Sequence, residues 1–491
     1  MPLNIRTADG LDIGLDASIV DRLTSAIQGD VLSPGTAAFV DACAIWNAMI
    51  DRRPGLIIRC TSTNDVVTAV RFASEHRLLV SVRGGGHNIA GNALADGGLM
   101  IDLSLMKSVR VDPDARAVRV GPGATLAEVD AATQAYGLAT PVGINSTTGI
   151  AGLTLGGGFG WLSRRFGLTI DNLLSAEVVT AAGDVLTASE SQNADLFFGI
   201  RGGGGNFGIV TSFELRLHQV GPEVLSGLVV HPLEAAPAVL KFYRDFLAKA
   251  SDDVAVWFVL RKAPPLPFLP PEWHGREILA LAMCYTGSIE EGQRALQPLR
   301  AFGKPLADVV APHPFTAWQQ ILDPLLTPGM RNYWKSHDFT SLSDGLIDVL
   351  LNAARELPDP NTEIAFAQVG GAISRVPHEA TAYTHREAEF ILNVHGRWAD
   401  PAKDKECVAW ARRLFDAATP FATGGVYVNF MSQEEGERVR AAYGKNYERL
   451  VELKNKYDPS NLFRINQNIR PTKYVMPGIP SPAVSAEPIK R

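Results

Sequence analysis

Hydrophobic and polar positions follow two different periods in the first third of the chain. The apolar runs Leu78–Val82 and Leu99–Leu103 are short and rich in leucine, valine and isoleucine, which predicts buried strands. Residues 65–76 instead space their apolar side chains at helical intervals, with Asn64 or Thr63 available as the cap. We therefore expect short strands and helices to alternate here.

A different pattern begins after about residue 218, where long strands alternate with amphipathic helices. This pattern is typical of an antiparallel sheet backed by helices, an α+β arrangement. The C-terminal part predicts one more strand at 426–430 and a long helix at 435–457. The predicted strands of the middle region are 254–260, 278–285, 364–374 and 390–398, and its predicted helices are 236–250, 290–302, 342–357 and 403–418.

The composition is that of an ordinary soluble globular protein. Of 491 residues, 46% are hydrophobic and 20% charged, and the net charge of -6 argues against a basic surface for nucleic acid. The four cysteines are scattered without metal-ligand or disulfide spacing. The N-terminus lacks the apolar core of a signal peptide, and no apolar run approaches the roughly 18 residues of a membrane-spanning helix. We expect a cytoplasmic protein with no metal and no membrane segment.

The glycines are unevenly placed and indicate a ligand site. Before residue 218 they form the clusters Gly84–Gly86, Gly156–Gly160 and Gly202–Gly205. A tight glycine turn after a strand exposes backbone N–H groups that can hold a phosphate. Two clusters directly follow an arginine, Arg83 or Arg201, so a shared anionic ligand is favoured over packing alone. A dinucleotide pyrophosphate is the natural candidate.

A Rossmann site is excluded by context. Residues Gly203–Gly208 match the G-x-G-x-x-G pattern, but a Rossmann fingerprint must open a helix. Here the β-branched run Ile209–Leu215 follows and predicts a strand. None of the glycine clusters leads into the Gly-Lys-Ser/Thr of a phosphate-binding loop. The dinucleotide is therefore expected to bind through loops outside a Rossmann fold.

Several motifs together resemble the vanillyl-alcohol oxidase and p-cresol methylhydroxylase superfamily. Within it, the chain is most similar to the berberine-bridge-enzyme-like FAD-linked oxidases, in the bacterial 6-hydroxynicotine-oxidase-like branch. The match covers roughly residues 40–217 and 425–471. The motifs are Asp51–Pro54, Arg83–Asn88, Gly152–Gly160, Gly167–Asn172, Arg201–Gly208, Tyr457–Phe463 and Asn466–Ile469.

This resemblance implies an α+β fold of the two-domain vanillyl-alcohol-oxidase type. Residues 1–217 and 425–475 would form one FAD-binding domain from both chain ends. Residues 218–424 would form an inserted antiparallel-sheet substrate domain. The tail, residues 476–491, is expected to be loosely ordered because it is rich in proline and serine.

The resemblance also implies that His87 bonds covalently to the 8α-methyl of the flavin. Without this resemblance, His87 would be interpreted as an ordinary histidine that is hydrogen-bonded in a tight turn. The other residues that we expect to contact the cofactor are Arg83, Gly84, Gly85, Gly86, Asn88, Gly91, Thr147, Thr148, Gly149, Gly152, Gly157, Gly158, Gly160, Gly205, Gly208, Val210, Asn429, Asn466 and Asn468.

Many relatives form a second flavin bond, through a cysteine shortly before the central glycine cluster. Asn145 aligns with that cysteine, and no cysteine lies between Cys60 and Cys284. The flavin is therefore expected to be monocovalent. Thr148 falls near the position that controls oxygen access in relatives, although a plain turn hydroxyl is an equal alternative.

Catalytic groups are expected from the substrate domain and the C-terminal strand. Tyr427 and Asn429 match a Tyr-x-Asn-Tyr motif that lines the flavin in relatives, but Phe430 replaces the second tyrosine. A tyrosine serves as a base only where a cation lowers its pKa. Strand alternation places Asn393 and His395 on one face, and Gln368 lies on a neighbouring predicted strand. Each is also explained as a satisfied polar group.

The function that follows is an FAD-dependent oxidase. It would remove hydride from an alcohol or amine carbon of a small molecule and reduce O2 to H2O2. Two alternatives stay open, a flavin dehydrogenase with another electron acceptor and a flavin-dependent oxidative cyclase of secondary metabolism. The sequence indicates neither the substrate nor the oligomeric state.

Overall fold

The computed structural model of the chain describes residues 2–472. The part before residue 220 alternates short strands and helices, as the sequence predicts. Its strands are β1 (Leu3–Arg6), β2 (Asp12–Leu15), β3 (Asp30–Leu32), β4 (Leu56–Arg59), β5 (Val80–Arg83), β6 (Leu99–Asp102), β7 (Val109–Asp112), β8 (Ala117–Val120), β9 (Leu138–Ala139), β10 (Leu173–Val179), β11 (Val185–Ser189), β12 (Ile209–Arg216) and β13 (His218–Gln219). Its helices are α1 (Ala17–Ala26), α2 (Ala37–Cys43), α3 (Thr63–Glu75), α4 (Leu126–Gln134), α5 (Ile150–Gly156), α6 (Ser163–Phe166) and α7 (Ala194–Ile200).

Two sheets of this part position the glycine loops. The first has the order β3-β4-β6-β5, with β4 and β5 parallel to β6, and the loop Gly84–Gly86 leaves the carboxyl end of β5. The second is antiparallel, with the order β11-β10-β12-β8-β7. Residue Gly208 leads directly into β12, so the exclusion of a Rossmann turn agrees with the structure.

The middle of the chain forms one large antiparallel sheet in the order β17-β14-β16-β15-β20-β21-β19, with β18 paired to β14. Helices α8, α9, α11 and α12 cover one face, and their apolar side chains form its core together with the strands. This confirms the predicted α+β class. The strands are β14 (Glu223–Pro232), β15 (Val254–Lys262), β16 (Glu277–Tyr285), β17 (Ala307–Asp308), β18 (Ala311–Pro314), β19 (Arg331–Phe339), β20 (Glu363–Gln368) and β21 (Phe390–Trp398), and the helices are α8 (Ala236–Leu247), α9 (Ile289–Arg300), α10 (Phe315–Gln319), α11 (Asp344–Ala354) and α12 (Asp404–Ala418).

Three sequence predictions of secondary structure are wrong. The strand predicted at 426–430 is a 3₁₀ turn at Val428–Phe430, where the Phe430 N–H donates to the Tyr427 carbonyl instead of to a strand. The long helix is divided into α13 (Val439–Tyr443) and α14 (Tyr447–Tyr457), separated by Gly444 with φ +46°. The strand predicted at 364–374 ends at Gln368, because two left-handed glycines follow at 370 and 371. The predicted loose tail lies outside the described residues.

A buried lysine ties the C-terminal segment to the third glycine cluster. The Lys454 ammonium donates to Asp458 Oδ2 at 2.8 Å, to the Asn206 carbonyl at 2.8 Å and to the Phe463 carbonyl at 2.9 Å. All three donors of the ammonium are therefore satisfied, as a buried charge requires. The contact holds the segment around Asn466 against the loop at Gly205.

Candidate active site

A cavity of about 410 Å³ lies between the glycine loops and the uncovered face of the large sheet. This volume is within the range of ordinary small-molecule sites. Three leucines, Leu322, Leu325 and Leu326, add a further wall. Both halves of the chain therefore contribute to one site.

The glycines of the loops serve two different purposes. A Cβ at Gly85 would lie 2.4 Å from the backbone nitrogen of Gly149, so these two glycines allow two loops to pack against each other. By contrast, Cβ atoms at Gly152 or Gly205 would meet nothing within 4 Å. Both line the cavity and leave open space beside exposed backbone. This cradle fits an extended dinucleotide.

The imidazole of His87 borders the cavity and is firmly held. It stacks on Trp46 with 4.3 Å between ring centroids and an interplanar angle of 22°. Its Nε2 lies 2.9 Å from Thr147 Oγ1, and Nδ1 lies 3.4 Å from Thr148 Oγ1. Desolvation by the surrounding protein lowers the His87 pKa to about 4. The ring is therefore neutral at neutral pH and keeps one nitrogen lone pair for bonding.

Two asparagine oxygens at the cavity have no hydrogen-bond partner among the described residues. These are Asn393 Oδ1 and Asn466 Oδ1, both buried. Buried polar atoms are nearly always hydrogen-bonded, so each predicts a donor on a bound molecule. The amide nitrogen of Asn466 is already used, since it donates to the Phe463 carbonyl at 2.9 Å. The chemistry of the site thus fits a flavin dinucleotide and a substrate with an O–H or N–H group.

One face of the large sheet forms the floor of the cavity. Side chains alternate across a sheet, so each strand contributes every second residue. The centre of the floor is occupied by small residues, which leave room for a ligand. The floor residues are Trp257, Val259 and Arg261 on β15, Ala280 and Ala282 on β16, Glu363, Ala365 and Ala367 on β20, and Ile391, Asn393 and His395 on β21.

A buried charged cluster occupies one corner of this floor. His395 Nδ1 lies 3.1 Å from Glu363 Oε1, and Arg261 Nη1 donates to Glu363 Oε2 at 2.7 Å. Burial raises the Glu363 pKa, but Arg261 and then His395 outweigh it and hold the pKa at about 2. Burial lowers the His395 pKa, against the opposing effect of Glu363. The corner therefore holds an ionised glutamate beside a neutral histidine.

The register of β20 explains why the sequence analysis missed Glu363 and selected Gln368. Glu363 pairs directly with His395 across the strands, and Ala365 pairs with Asn393. Gln368 lies on the opposite face, where its Oε1 accepts from the Val256 N–H at 3.1 Å. It does not line the cavity, so the structure gives no support to a catalytic role. The predicted strand started one residue late and hid the Glu363–His395 pair.

Tyr427 lines the cavity, but its environment differs from that of a base. Its hydroxyl oxygen accepts from the Gly158 N–H and from Asn429 Nδ2, each at 3.0 Å. Burial raises the Tyr427 pKa to about 12, and the two hydrogen bonds oppose this only in part. Tyr427 is therefore a phenol at neutral pH, with its own proton free to donate.

Most predicted cofactor residues border the cavity, but seven do not. One of the seven, Thr147, is exposed and contacts His87 instead. Arg83 donates to the Ala42 carbonyl, and Gly91 adjoins Ile50. A Cβ at Gly158 would strike Thr169, and one at Gly160 would strike the Val142 carbonyl, so packing explains these glycines. Gly157 likewise faces Tyr383 and Tyr427. Asn468 borders a second cavity close by, next to Asn466. The residues that line the main cavity as predicted are Gly84, Gly85, Gly86, His87, Asn88, Thr148, Gly149, Gly152, Gly205, Gly208, Val210, Asn429 and Asn466.

Comparison with known proteins shows that the class of protein is an FAD-linked oxidoreductase. A model of an FAD-binding domain matches residues 54–189, and a model described as berberine and berberine-like matches residues 426–470. An FAD-linked oxidoreductase of Dictyostelium discoideum is 30% identical over 458 residues, covering 92% of this chain and 97% of the relative. The chain belongs to the family of FAD-linked oxidoreductases with a berberine-like C-terminal segment.

Two further relatives support the same placement. The (R)-6-hydroxynicotine oxidase of Paenarthrobacter nicotinovorans is 29% identical over 472 residues, covering 91% of this chain and 97% of that protein. The crystal structure of 6-hydroxy-D-nicotine oxidase from Arthrobacter nicotinovorans has a TM-score of 0.81 at 28% identity. It covers 90% of this chain and 98% of that one. The predicted family and fold are thereby confirmed.

Membrane spans and metal sites were also sought in the described part of the chain. Within residues 2–472, no helix is both long and apolar enough to cross a membrane. The same residues contain no group of three or more histidine, cysteine, aspartate or glutamate side chains arranged to hold a metal ion.

Proposed function

We propose that this chain is an FAD-dependent oxidase. It takes hydride from an alcohol or amine carbon of a small, largely apolar molecule and reduces O2 to H2O2. The observation that carries the proposal is the Glu363–His395 pair, which faces the same cavity as His87 and the glycine cradle. A base opposite a flavin site is what such an oxidation requires.

His87 is proposed as the single covalent tether of the flavin, and the cradle at Gly152 and Gly205 as the seat of its extended part. Asn466 adds an acceptor from the C-terminal segment. Bound FAD supplies the hydride acceptor and returns the electrons to dioxygen. The protein supplies the tether, the base and the shape of the substrate space.

His395 is the proposed general base. Its neutral imidazole takes the substrate O–H or N–H proton at Nε2 while Nδ1–H donates to Glu363. The ionised glutamate then stabilises the imidazolium and holds its ring in place. Asn332 Oδ1, 3.4 Å from Nε2, accepts a hydrogen bond once that nitrogen is protonated. Removing this proton favours departure of hydride from the adjacent carbon.

Asn393 and Tyr427 are proposed to orient the substrate. The unpaired Asn393 Oδ1 accepts from a substrate donor, and the Tyr427 hydroxyl donates its own proton. The two groups therefore recognise complementary atoms of a molecule that carries a polar group at the reacting end.

The remainder of the substrate space favours an apolar molecule. Aromatic rings and aliphatic side chains form most of its walls, and the polar groups gather in the corner around His395. This distribution supports an aromatic or alicyclic substrate more than an oligosaccharide. The apolar residues on this side are Phe159, Trp161, Leu228, Val230, Trp257, Leu266, Phe268, Leu269, Ile278, Trp334, Ile391 and Phe430.

A peroxide-coupled panel tests this assignment. Aromatic and alicyclic alcohols and amines are compared with mono- and oligosaccharides on the purified holoenzyme. We expect peroxide production with members of the first group and higher kcat/KM for them. Peroxide from saccharides alone would contradict the apolar substrate class, and flavin reduction without peroxide would contradict the oxidase.

Replacing Glu363 with glutamine should lower kcat by on the order of tenfold, since the imidazolium loses its stabilising charge. Glu363 raises the His395 pKa, so its removal lowers that pKa further. The acid limb of the kcat–pH profile should therefore move to lower pH in Glu363→Gln. The measurement is flavin reduction against pH, and a limb that stays in place or moves upward would contradict the role.

A further inference from the structure

The loop before the second glycine cluster holds His87 through a short relay of hydrogen bonds. Asn145 Oδ1 accepts from the Thr147 hydroxyl at 2.6 Å, and Thr147 Oγ1 lies 2.9 Å from His87 Nε2. We infer that Asn145 and Thr147 select the tautomer of His87 in which Nε2 carries the proton and Nδ1 keeps the lone pair that bonds to the flavin. The inference rests on the proposed covalent tether and deepens it.

The amide of Asn145 has a defined orientation. Its Oδ1 also accepts from the Thr147 backbone N–H at 3.1 Å, which only an oxygen can do. Its Nδ2 donates to the Leu326 carbonyl at 3.4 Å, on the far side of the cavity wall. Exchanging the two ends of the amide would break both contacts. Asn145 therefore presents an acceptor, and not a donor, to the hydroxyl of Thr147.

The acceptor on Asn145 fixes the direction of the hydrogen bond between Thr147 and His87. Thr147 is exposed, and its hydroxyl would otherwise rotate freely among water partners. The short bond to Asn145 uses its single proton, so towards His87 the hydroxyl oxygen offers only a lone pair. Nε2 must then carry a hydrogen and donate it to the hydroxyl oxygen. An unprotonated Nε2 would instead direct its own lone pair at the lone pair of that oxygen. In a neutral imidazole the other nitrogen, Nδ1, is consequently unprotonated.

Nδ1 has little competition for its lone pair. Its nearest polar neighbour is Thr148 Oγ1 at 3.4 Å, a long contact. The contact between Nε2 and Thr147 fixes which way the ring faces, and stacking on Trp46 fixes its plane. Thr148 lines the cavity, so Nδ1 and its lone pair lie on the cavity side of the ring.

Nδ1 forms a bond to the 8α-carbon of the flavin, one C–H bond of that methyl group breaks, and the imidazole releases its Nε2 proton. In total, two electrons and two protons leave the imidazole and the flavin methyl group. Dioxygen is the oxidant that takes them, and it becomes hydrogen peroxide.

The test uses the full chain produced without flavin, then supplied with FAD in air. Covalent flavin is followed by denaturing electrophoresis and the attachment atom by NMR of the flavin peptide. The unaltered chain should carry flavin on Nδ1. Thr147→Val should attach flavin about threefold to tenfold more slowly, the value of one hydrogen bond, and Thr147→Ser should restore the rate. Asn145→Ala frees the hydroxyl to donate to Nε2, so part of the protein should carry the imidazole proton on Nδ1, and attachment at Nδ1 should be slower by a similar factor.

Several results would overturn the inference. Attachment to Nε2 in the unaltered chain would do so, as would an unchanged attachment rate in Thr147→Val or in Asn145→Ala. If Thr147→Val fails to bind FAD at all, the attachment rate in Asn145→Ala decides the question. A complete lack of covalent flavin in the unaltered chain would refute the tether itself, which is a different failure from flavin on the wrong nitrogen.

Discussion

Replacing His395 with glutamine should slow flavin reduction by substrate by roughly 100- to 10,000-fold, the usual contribution of a general base. Glutamine keeps much of the volume of the ring and can still donate to Glu363. It has no nitrogen lone pair that accepts a proton at neutral pH. The binding constant of the substrate should change far less, because Asn393 and Tyr427 are retained. Anaerobic stopped-flow reduction separates the two quantities.

A matched control is available in His76→Gln. His76 follows α3, and its ring lies tilted against that of Phe72. It is not one of the residues that line the cavity. This variant should reduce its flavin at the unaltered rate. If His395→Gln also retains the unaltered rate, another group takes the proton and the assignment of the base is wrong.

His87→Ala should abolish covalent flavin completely. Within the proposal no other side chain forms the bond, because the sequence resemblance predicts asparagine, Asn145, in place of the cysteine of a second linkage. The glycine cradle is intact in this variant, so FAD should still bind, but it should leave the protein on acid precipitation. In-gel fluorescence under ultraviolet light gives the measurement, and His76→Ala is the control that should keep its fluorescent band.

Two outcomes would contradict this account of His87. A fluorescent band in His87→Ala would mean that a different residue forms the tether. A colourless unaltered protein after acid precipitation would mean that no tether exists. In either case the roles of the glycine cradle and of His395 as the base are tested separately, by the rate of flavin reduction.

The sequence was most informative where local chemistry and geometry coincide. Two of the three glycine clusters, Gly84–Gly86 and Gly202–Gly205, contribute to one cavity, and the alternation in β21 correctly placed Asn393 and His395 on the cavity face. It was least informative about which residues of β20 border the cavity. A strand start placed one residue late left Glu363 outside the predicted strand. Gln368 lies on the opposite face, because side chains alternate along a strand and it is an odd number of positions away from Glu363.

The C-terminal segment shows a second limit. Residues 426–430 are apolar and β-branched enough for a strand, yet they pair with no strand within residues 2–472. Tertiary contacts fix a turn there instead, through the bond from Gly158 N–H to the Tyr427 hydroxyl. The same contacts supply the buried environment that keeps Tyr427 protonated. Neither effect is visible from the local pattern, because both depend on a loop 269 residues earlier in the chain.

The proposed oxidase function requires that the reduced enzyme deliver its electrons to dioxygen. The most direct test reduces the bound flavin chemically without air and then mixes the protein with air-saturated buffer in a stopped-flow instrument. The oxidase account predicts rapid return of the oxidised flavin spectrum, with one hydrogen peroxide released per flavin. Slow reoxidation, with fast oxidation by an artificial acceptor instead, would contradict it and identify a dehydrogenase.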